Sequence, residues 1–377
     1  MNRNKLDMAW VCVLSLALLA CGPAFAAQDD AAASSPDETR IALLQVKPQA
    51  YAVVEAAGRH EQSRIRLAAL EAVEFAPDAA FEMARSGMAD ENPAVRFASL
   101  VTVGKLKIER LADASADFLR DENASVRGAA IFALARCGRR VDLTPLANML
   151  GSSSPGTRAN AAMLIGQLGD RQAIEMLREM AAEPMPRVSP AERTWVRLQF
   201  AEAMIRLAPD DAEVLGSIRA SVYSNLDDVR VLSIQILGEV RDKSVQGGLA
   251  HIIDRENPIQ VKIAAAQSLA RMGDKQGLAI LLEASSFDEK RLGKELENYA
   301  RRIEAEGGAG PELQAVRALI ADRTQRGNAA AEVRAQAARA LGWVNDKKAA
   351  QQVSAMLEDP DPIVRVAAAA AVLQATR

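Results

Sequence analysis

The sequence predicts an all-α fold, a right-handed α-solenoid (an α-α superhelix) of about ten helix pairs, and three observations predict it. First, a phrase returns: DENPAVRFASL begins at Asp90 and DENASVRGAAI at Asp121, 31 residues later. Second, apolar residues follow each phrase at helical spacing, as at Val126, Ala130, Ile131, Leu134 and Ala135. Third, the chain is 49% apolar yet only 4% aromatic. Much of the apolar share is alanine, which favours helices packed through small side chains over sheets of Val, Ile and Tyr.

The basic residue of the phrase falls at Arg66, Arg96, Arg127, Arg158, Arg197, Arg230, Lys262, Arg334 and Arg365. All the intervals lie near 31 except two, 39 before Arg197 and 72 before Arg334. The longer of these is about two periods and predicts one degenerate unit hidden inside it. A fixed period of this length marks an array in which each unit is one supersecondary structure. Within a unit, a first helix ends at a turn rich in Asp, Asn and Pro, and Val-Arg opens the second. The second helix stops at a glycine in LARCG, IGQLGD and LARMGD, where a left-handed C-cap is needed. Neither helix can bury its apolar stripe alone, so consecutive pairs must stack.

Helix pairs with a proline-bearing turn, an Asp before it and Val-Arg after it resemble HEAT repeats, and the short period is most similar to the bilin-lyase type. The resemblance covers the chain from residue 36 to 377. It implies that the Asp caps the turn while the Arg reaches the neighbouring unit. Asp90 and Arg96, Asp121 and Arg127, and Asp359 and Arg365, each acid six residues before its arginine, would then be members of a structural ladder of ion pairs running from unit to unit. Ser152 and Asn328 stand in the acid's place in two units and Lys262 replaces Arg in another, so those joints should be looser.

Ahead of the array, Arg3 and Lys5 precede the apolar run Val11–Ala20, which reads as a bacterial export signal over residues 1–26. Two endings are open: cleavage after Ala26 in AFA, or a lipobox LLAC in which Cys21 is lipidated. Residues 27–35 read as a flexible tether, with Ser35 as the N-cap of the first helix. The location expected is the periplasm, free or as an anchored lipoprotein, with the membrane met only through that anchor. Cys137 is then alone in the folded body and reads as a small buried apolar residue.

The rhythm breaks at 181–195 and 285–327. The first break holds Pro184, Pro186 and Pro190, a capping box from Ser189 to Glu192, and Arg187 with Trp195 as residues that a partner could contact. The competing reading has Trp195 filling a gap at home. In the second, Leu292, Leu296, Tyr299 and Ile303 form the seam of one long amphipathic helix, an elongated first helix of a degenerate unit. The C-terminal helix VRVAAAAAVLQATR has no polar cap after it, which predicts self-association at that end.

No catalytic, cofactor or metal constellation is visible. His60 and His251 are the sole histidines, and the single His60-Glu61 pair cannot supply an iron site of facing His-Glu pairs. A net charge of −3 with interleaved acids argues against nucleic acid. The expected function is a non-catalytic scaffold that binds a protein partner in the cell envelope. A chromophore-lyase-like subunit and a self-assembling structural solenoid stand as alternatives.

Overall fold

The computed structural model describes residues 38–255, 257–305 and 310–377. The leader, both readings of its end including Cys21, the tether and the Ser35 cap lie outside the described residues. So do Gly307, Gly308 and Ala309 of the glycine-rich break. The described residues form α-helices and short 3₁₀ turns, with no strand among them. No described helix is long and apolar enough to cross a membrane.

Pairs follow one another along the chain. The first helices of the pairs are α1 (Glu38–Ala57), α3 (Pro77–Met88), α5 (Ala112–Ser115, extended by 3₁₀ turns), α7 (Thr144–Asn148), α9 (Ala173–Ala182), α11 (Ala212–Ser221), α13 (Gln246–Asp254), α15 (Leu278–Ala284) and α19 (Lys347–Met356). The second helices are α2 (Ser63–Ala72), α4 (Pro93–Leu106), α6 (Ala124–Arg136), α8 (Pro155–Leu168), α10 (Pro190–Leu207), α12 (Asp227–Glu239), α14 (Ile259–Arg271), α18 (Arg323–Leu341) and α20 (Pro362–Ala375). Between α15 and α18 lie α16 (Glu289–Ala305) and α17 (Pro311–Ala321).

Local chemistry sets the ends of the second helices. Proline occupies the first turn at Pro93, Pro155, Pro190 and Pro362, where its missing N–H costs nothing. Asn92, Asn123, Ser154 and Asp361 cap the N-termini with side-chain oxygens, and Ser189 with Glu192 forms a reciprocal capping box. At the far end the backbone turns left-handed at Gly138, Gly169 and Gly273. Lys107 and Arg241 hold the same place at φ 51°, without glycine's freedom.

The chain divides into two compact units. Among the described residues, the first unit runs from Val54 to Leu249 and the second joins residues 38–53 to 250–377. In the first, α2, α4, α6, α8, α10 and α12 pack each on the next. The approach is close: a Cβ at Gly166 would stand 2.9 Å from the Cα of Ala203. Apolar side chains such as Phe132, Leu164 and Phe200 fill the layer beneath. In the second unit, α14 packs on α18 and α18 on α20.

Two expectations are corrected here. The 72-residue interval holds its extra helices, α16 and α17, as an insertion that packs on α18 without coming between α18 and the helices α14 and α15. Because α14 and α15 both pack directly against α18, α16 and α17 are a helical hairpin inserted into one pair, with α17 packed on α16. Leu292 of the α16 seam is buried and Leu296, Tyr299 and Ile303 are half-buried. Nor is the C-terminal helix left without polar company. Within the second unit, Arg40 of α1 donates to the Arg377 carbonyl at 2.9 Å and Lys47 to the Thr376 carbonyl at 3.3 Å, while Gln49 meets Glu358. Sequence periodicity could not show this, since the covering residues lie more than 300 positions away.

Candidate functional site

The most regular chemistry lies at the turn between the two helices of each pair. Asp90 and Asp121 each sit two residues before an N-cap, and one carboxylate oxygen accepts the N–H of Asn92 or Asn123, at 2.9 and 2.8 Å. The preceding pair's arginine then grips that carboxylate with a fork. Arg66 meets Asp90 at 2.6 and 2.8 Å, and Arg96 meets Asp121 at 2.8 and 3.0 Å. Each arginine also ties down its own turn: Arg96 donates through Nη1 to the carbonyls of Asp90 and Glu91. A fork on a carboxylate is the strong, directional form of ion pair. The side chains of Arg96 and Asp121 are 12% and 8% exposed, so solvent screens them little.

Burial alone would raise the Asp121 carboxyl. The hydrogen bonds from Arg96 and the Asn123 N–H outweigh it and hold the group below the usual carboxylate range. In the second unit, Arg334 and Asp359 repeat the fork at 2.9 and 3.0 Å, and Arg365 binds the carbonyls of Asp359 and Pro360. His60 stands where the next turn has Asp90, and its Nδ1 accepts the Gln62 N–H at 3.1 Å. It is a turn cap here.

The row then changes. Arg127 binds only the carbonyls of its own turn, Asp121 and Glu122, at 2.7 and 3.1 Å. Asn328 lies inside α18 and caps no turn; the carbonyl of Phe287 takes that place opposite Arg334, at 2.9 Å. Arg197 is exposed, and the arginine four residues after the N-cap of α10 is Arg193, which donates to the Met185 carbonyl at 3.4 Å. The signal was available: Arg66, Arg96, Arg127, Arg158, Arg230 and Arg365 also stand four residues after an N-cap. The Val-Arg pair pointed one helical turn too far.

Of the two residues singled out for a partner, Arg187 is exposed, but Trp195 is only 7% exposed. Trp195 is therefore a packing residue, because a ring buried to that degree presents almost no surface to a second molecule. Cys137 is buried, burial raises its thiol above the ordinary range, and its Sγ lies 3.9 Å from the Val103 carbonyl. That environment suits an inert core thiol.

A second row escaped the sequence reading. Thirteen residues after their N-caps, α4, α6, α8, α10 and α12 carry Lys105, Arg136, Gln167, Glu202 and Glu239, in the last turn of each helix except the longer α10. Lys105 pairs with Glu74 at 2.8 Å, and Arg136 reaches the Gly104 carbonyl at 3.5 Å. Arg206 bridges Glu202 at 2.9 Å and Glu239 at 3.5 Å, so one guanidinium serves two carboxylates from neighbouring pairs. Burial pushes the Glu202 carboxyl up to about 7 against the pull of Arg206, and the charge of Glu239 adds to the rise. In the second unit the equivalent Arg271 lies over the Trp343 ring, 4.5 Å from its centroid. Residue types differ at each step of this row, so no repeated phrase announces it. Among the described residues no His, Cys, Asp and Glu group has the arrangement of a metal site.

Two family models of helical repeats match parts of the chain. Residues 112–193 and 314–374 match the family described as HEAT repeats, and residues 261–287 match the PBS lyase HEAT-like repeat. No curated protein matches the chain. Among solved structures, the complex of CpcE and CpcF of phycocyanin lyase from Nostoc is 16% identical, with a TM-score of 0.36 over 63% of this chain and 92% of that one. Human deoxyhypusine hydroxylase is 14% identical, with a TM-score of 0.34 over 90% of this chain and 99% of that one.

Proposed function

We propose that this chain, which matches HEAT repeats over residues 112–193 and 314–374 and the PBS lyase HEAT-like repeat over 261–287, works as a non-catalytic scaffold for a protein partner in the bacterial cell envelope. One observation carries the reading. Both departures from the repeat, the connector 183–189 and the α16–α17 hairpin, fall at the turn between the helices of a pair. Stacking uses the helix faces and does not require length there, so the exposed residues added at that turn can meet another molecule. Arg187 is exposed on the shorter of the two.

The envelope location rests on the basic start and apolar run of the leader. The mass of the mature protein tests it: loss of residues 1–26, or an acylated Cys21, supports export, and a retained Met1 leader defeats it. A photo-crosslinking residue at position 187, used in intact cells, tests the scaffold. The expected product is one specific envelope protein joined to the chain, weakened when 183–189 is shortened to an ordinary turn. Crosslinks to nothing, or to many proteins indifferently, would sink the proposal.

A further inference from the structure

The Asp–Arg row lacks carboxylates in a particular place. From Arg66 and Arg96 the gripped acid lies 24 and 25 residues ahead, and from Arg334 it lies 25 ahead. Twenty-five residues after Arg127 stands Ser152, a half-buried residue in the hydroxyl-rich turn GSSSPG. Ser152 does half of the acid's work: its hydroxyl accepts the Ser154 N–H at 3.2 Å, as Asp121 accepts that of Asn123. It has no second oxygen for a fork. Arg127 likewise keeps half of its work, the two carbonyls of its own turn. The Nε and Nη2 edge that in Arg96 holds a carboxylate meets no acid at the equivalent place.

The shortage continues, and becomes more severe, in the next pair. Arg158 is 5% exposed, donates through Nη2 to the Met180 carbonyl at 3.0 Å, and has a buried Nε with no hydrogen-bond partner. Burial depresses this guanidinium, opposed only weakly by the charge of Glu183. Nearby acids do not fill the gap. Asp121 is within electrostatic range of Arg127 but committed to Arg96, and the exposed Glu122 side chain lies 3.7 Å from Arg96.

We infer that the turn at Arg127 and Ser152 is an oxyanion site whose occupant is a carboxylate carried by an acidic segment of a protein partner. This rests on the scaffold reading for its partner, though not for the site. The fork presents two parallel donors, which suit a planar carboxylate, and sister turns of the same row hold that group. A single half-buried arginine on a chain of net charge −3 can grip one carboxylate but lacks the run of cations that a nucleic-acid backbone needs.

Binding of inorganic phosphate and of an oligoglutamate peptide, each titrated at constant ionic strength into the full mature chain, tests the inference with three proteins. Wild type is expected to bind both. Ser152→Asp supplies the missing carboxylate from within and should weaken both by about tenfold or more while raising the unfolding temperature. Arg127→Gln should weaken both without the gain in stability. Since Asp already occupies this position in sister turns, Ser152→Asp is a fold-compatible change. Equal binding by all three proteins, or none by wild type, overturns the site. Phosphate binding that depends on Arg127, with no peptide binding, supports the oxyanion site and overturns the acidic partner; the crosslinking at position 187 still judges the scaffold independently.

Discussion

Two stretches of one row use the same arginine differently. From Arg66 to Asp121, each guanidinium spans to the next pair and closes on a carboxylate. From Arg127 to Arg193, the arginines keep the same distance from their N-caps but close only on carbonyls. The helices remain packed through both stretches, and α8 on α10 is among the tightest joints of the first unit. Apolar packing is thus enough to hold a joint, and the ion pair adds local rigidity at the turn. Where the acid is missing, the sequence has kept the cost of a half-buried arginine without its partner, which is why that stretch is the place to look for a ligand.

The largest effect should come from cutting one complete rung. Asp121→Ala leaves the nearly buried Arg96 guanidinium with no fork and only the exposed Glu122 carboxylate at 3.7 Å, and removes the oxygen that accepts the Asn123 N–H. A loss of about 3 kcal/mol is expected for breaking a buried pair from one side. Ser152→Ala, at the equivalent turn, removes one exposed-edge hydrogen bond and should cost about 1 kcal/mol or less. Repeat arrays can unfold piecewise, so native-state amide exchange at α6 and α8 is a better gauge than a single melting curve. Equal losses in the two variants would erase the contrast between the stretches.

Glu202 offers the next effect, and its sign follows from its raised carboxyl. The folded state holds a proton on Glu202 up to about pH 7, whereas the unfolded chain releases it near 4.5. Between those values the folded state binds more protons, so this group makes stability fall as pH rises through the window. The fall is on the order of 3 kcal/mol at most, at about 1.4 per pH unit. Glu202→Gln should flatten the dependence, matching wild type near pH 5 and exceeding it at pH 8, in denaturant titrations at each pH. Asp121 acts with the opposite sign and lower down: its held-down carboxyl stabilises above pH 4 and that contribution is lost only as pH falls further. A wild-type stability that is level from pH 5 to 7 would mean the Arg206 bridge keeps Glu202 ionised.

How far sequence reading reached follows from what repeats. The 31-residue period exposes the helix pairs, the capped turns at Asn92 and Asn123 and the glycine ends at Gly138, Gly169 and Gly273, because the same atoms solve the same problem each time. It misplaces the arginine of α10, where the longer connector adds a helical turn before Val196, and it reads an inserted hairpin as a stacked unit. The meeting of Glu202 with Glu239, and of Arg40 with the chain's last carbonyl, is outside its reach. Those residues share no phrase, and only packing brings them together.

A smaller effect tests what replaces the acid in the joint of α8 with α10. Gly166→Ala would put a methyl 2.9 Å from the Cα of Ala203 and 3.0 Å from its Cβ, so the helices must separate. A loss of about 2 kcal/mol is expected from such overpacking. If exchange at α8 and α10 is unchanged, close approach is not what holds that joint.

The smallest effect lies at the other end of the same helices. Lys107 closes α4 in the left-handed region at φ 51°, where Gly138 and Gly169 close α6 and α8. A side chain there crowds its own carbonyl, at a cost of about 1 kcal/mol that glycine avoids. Lys107→Gly should therefore stabilise the acid-bearing stretch by up to that amount, less the entropy that glycine adds to the unfolded chain. Gly169→Ala should destabilise the acid-poor stretch by a similar amount, since nothing within 4 Å of a Cβ there would add a steric cost of its own. Opposite signs in urea midpoints would show that the two stretches share one helix-ending geometry and differ in their ion pairs. A gain from Gly169→Ala would place the difference in the backbone instead.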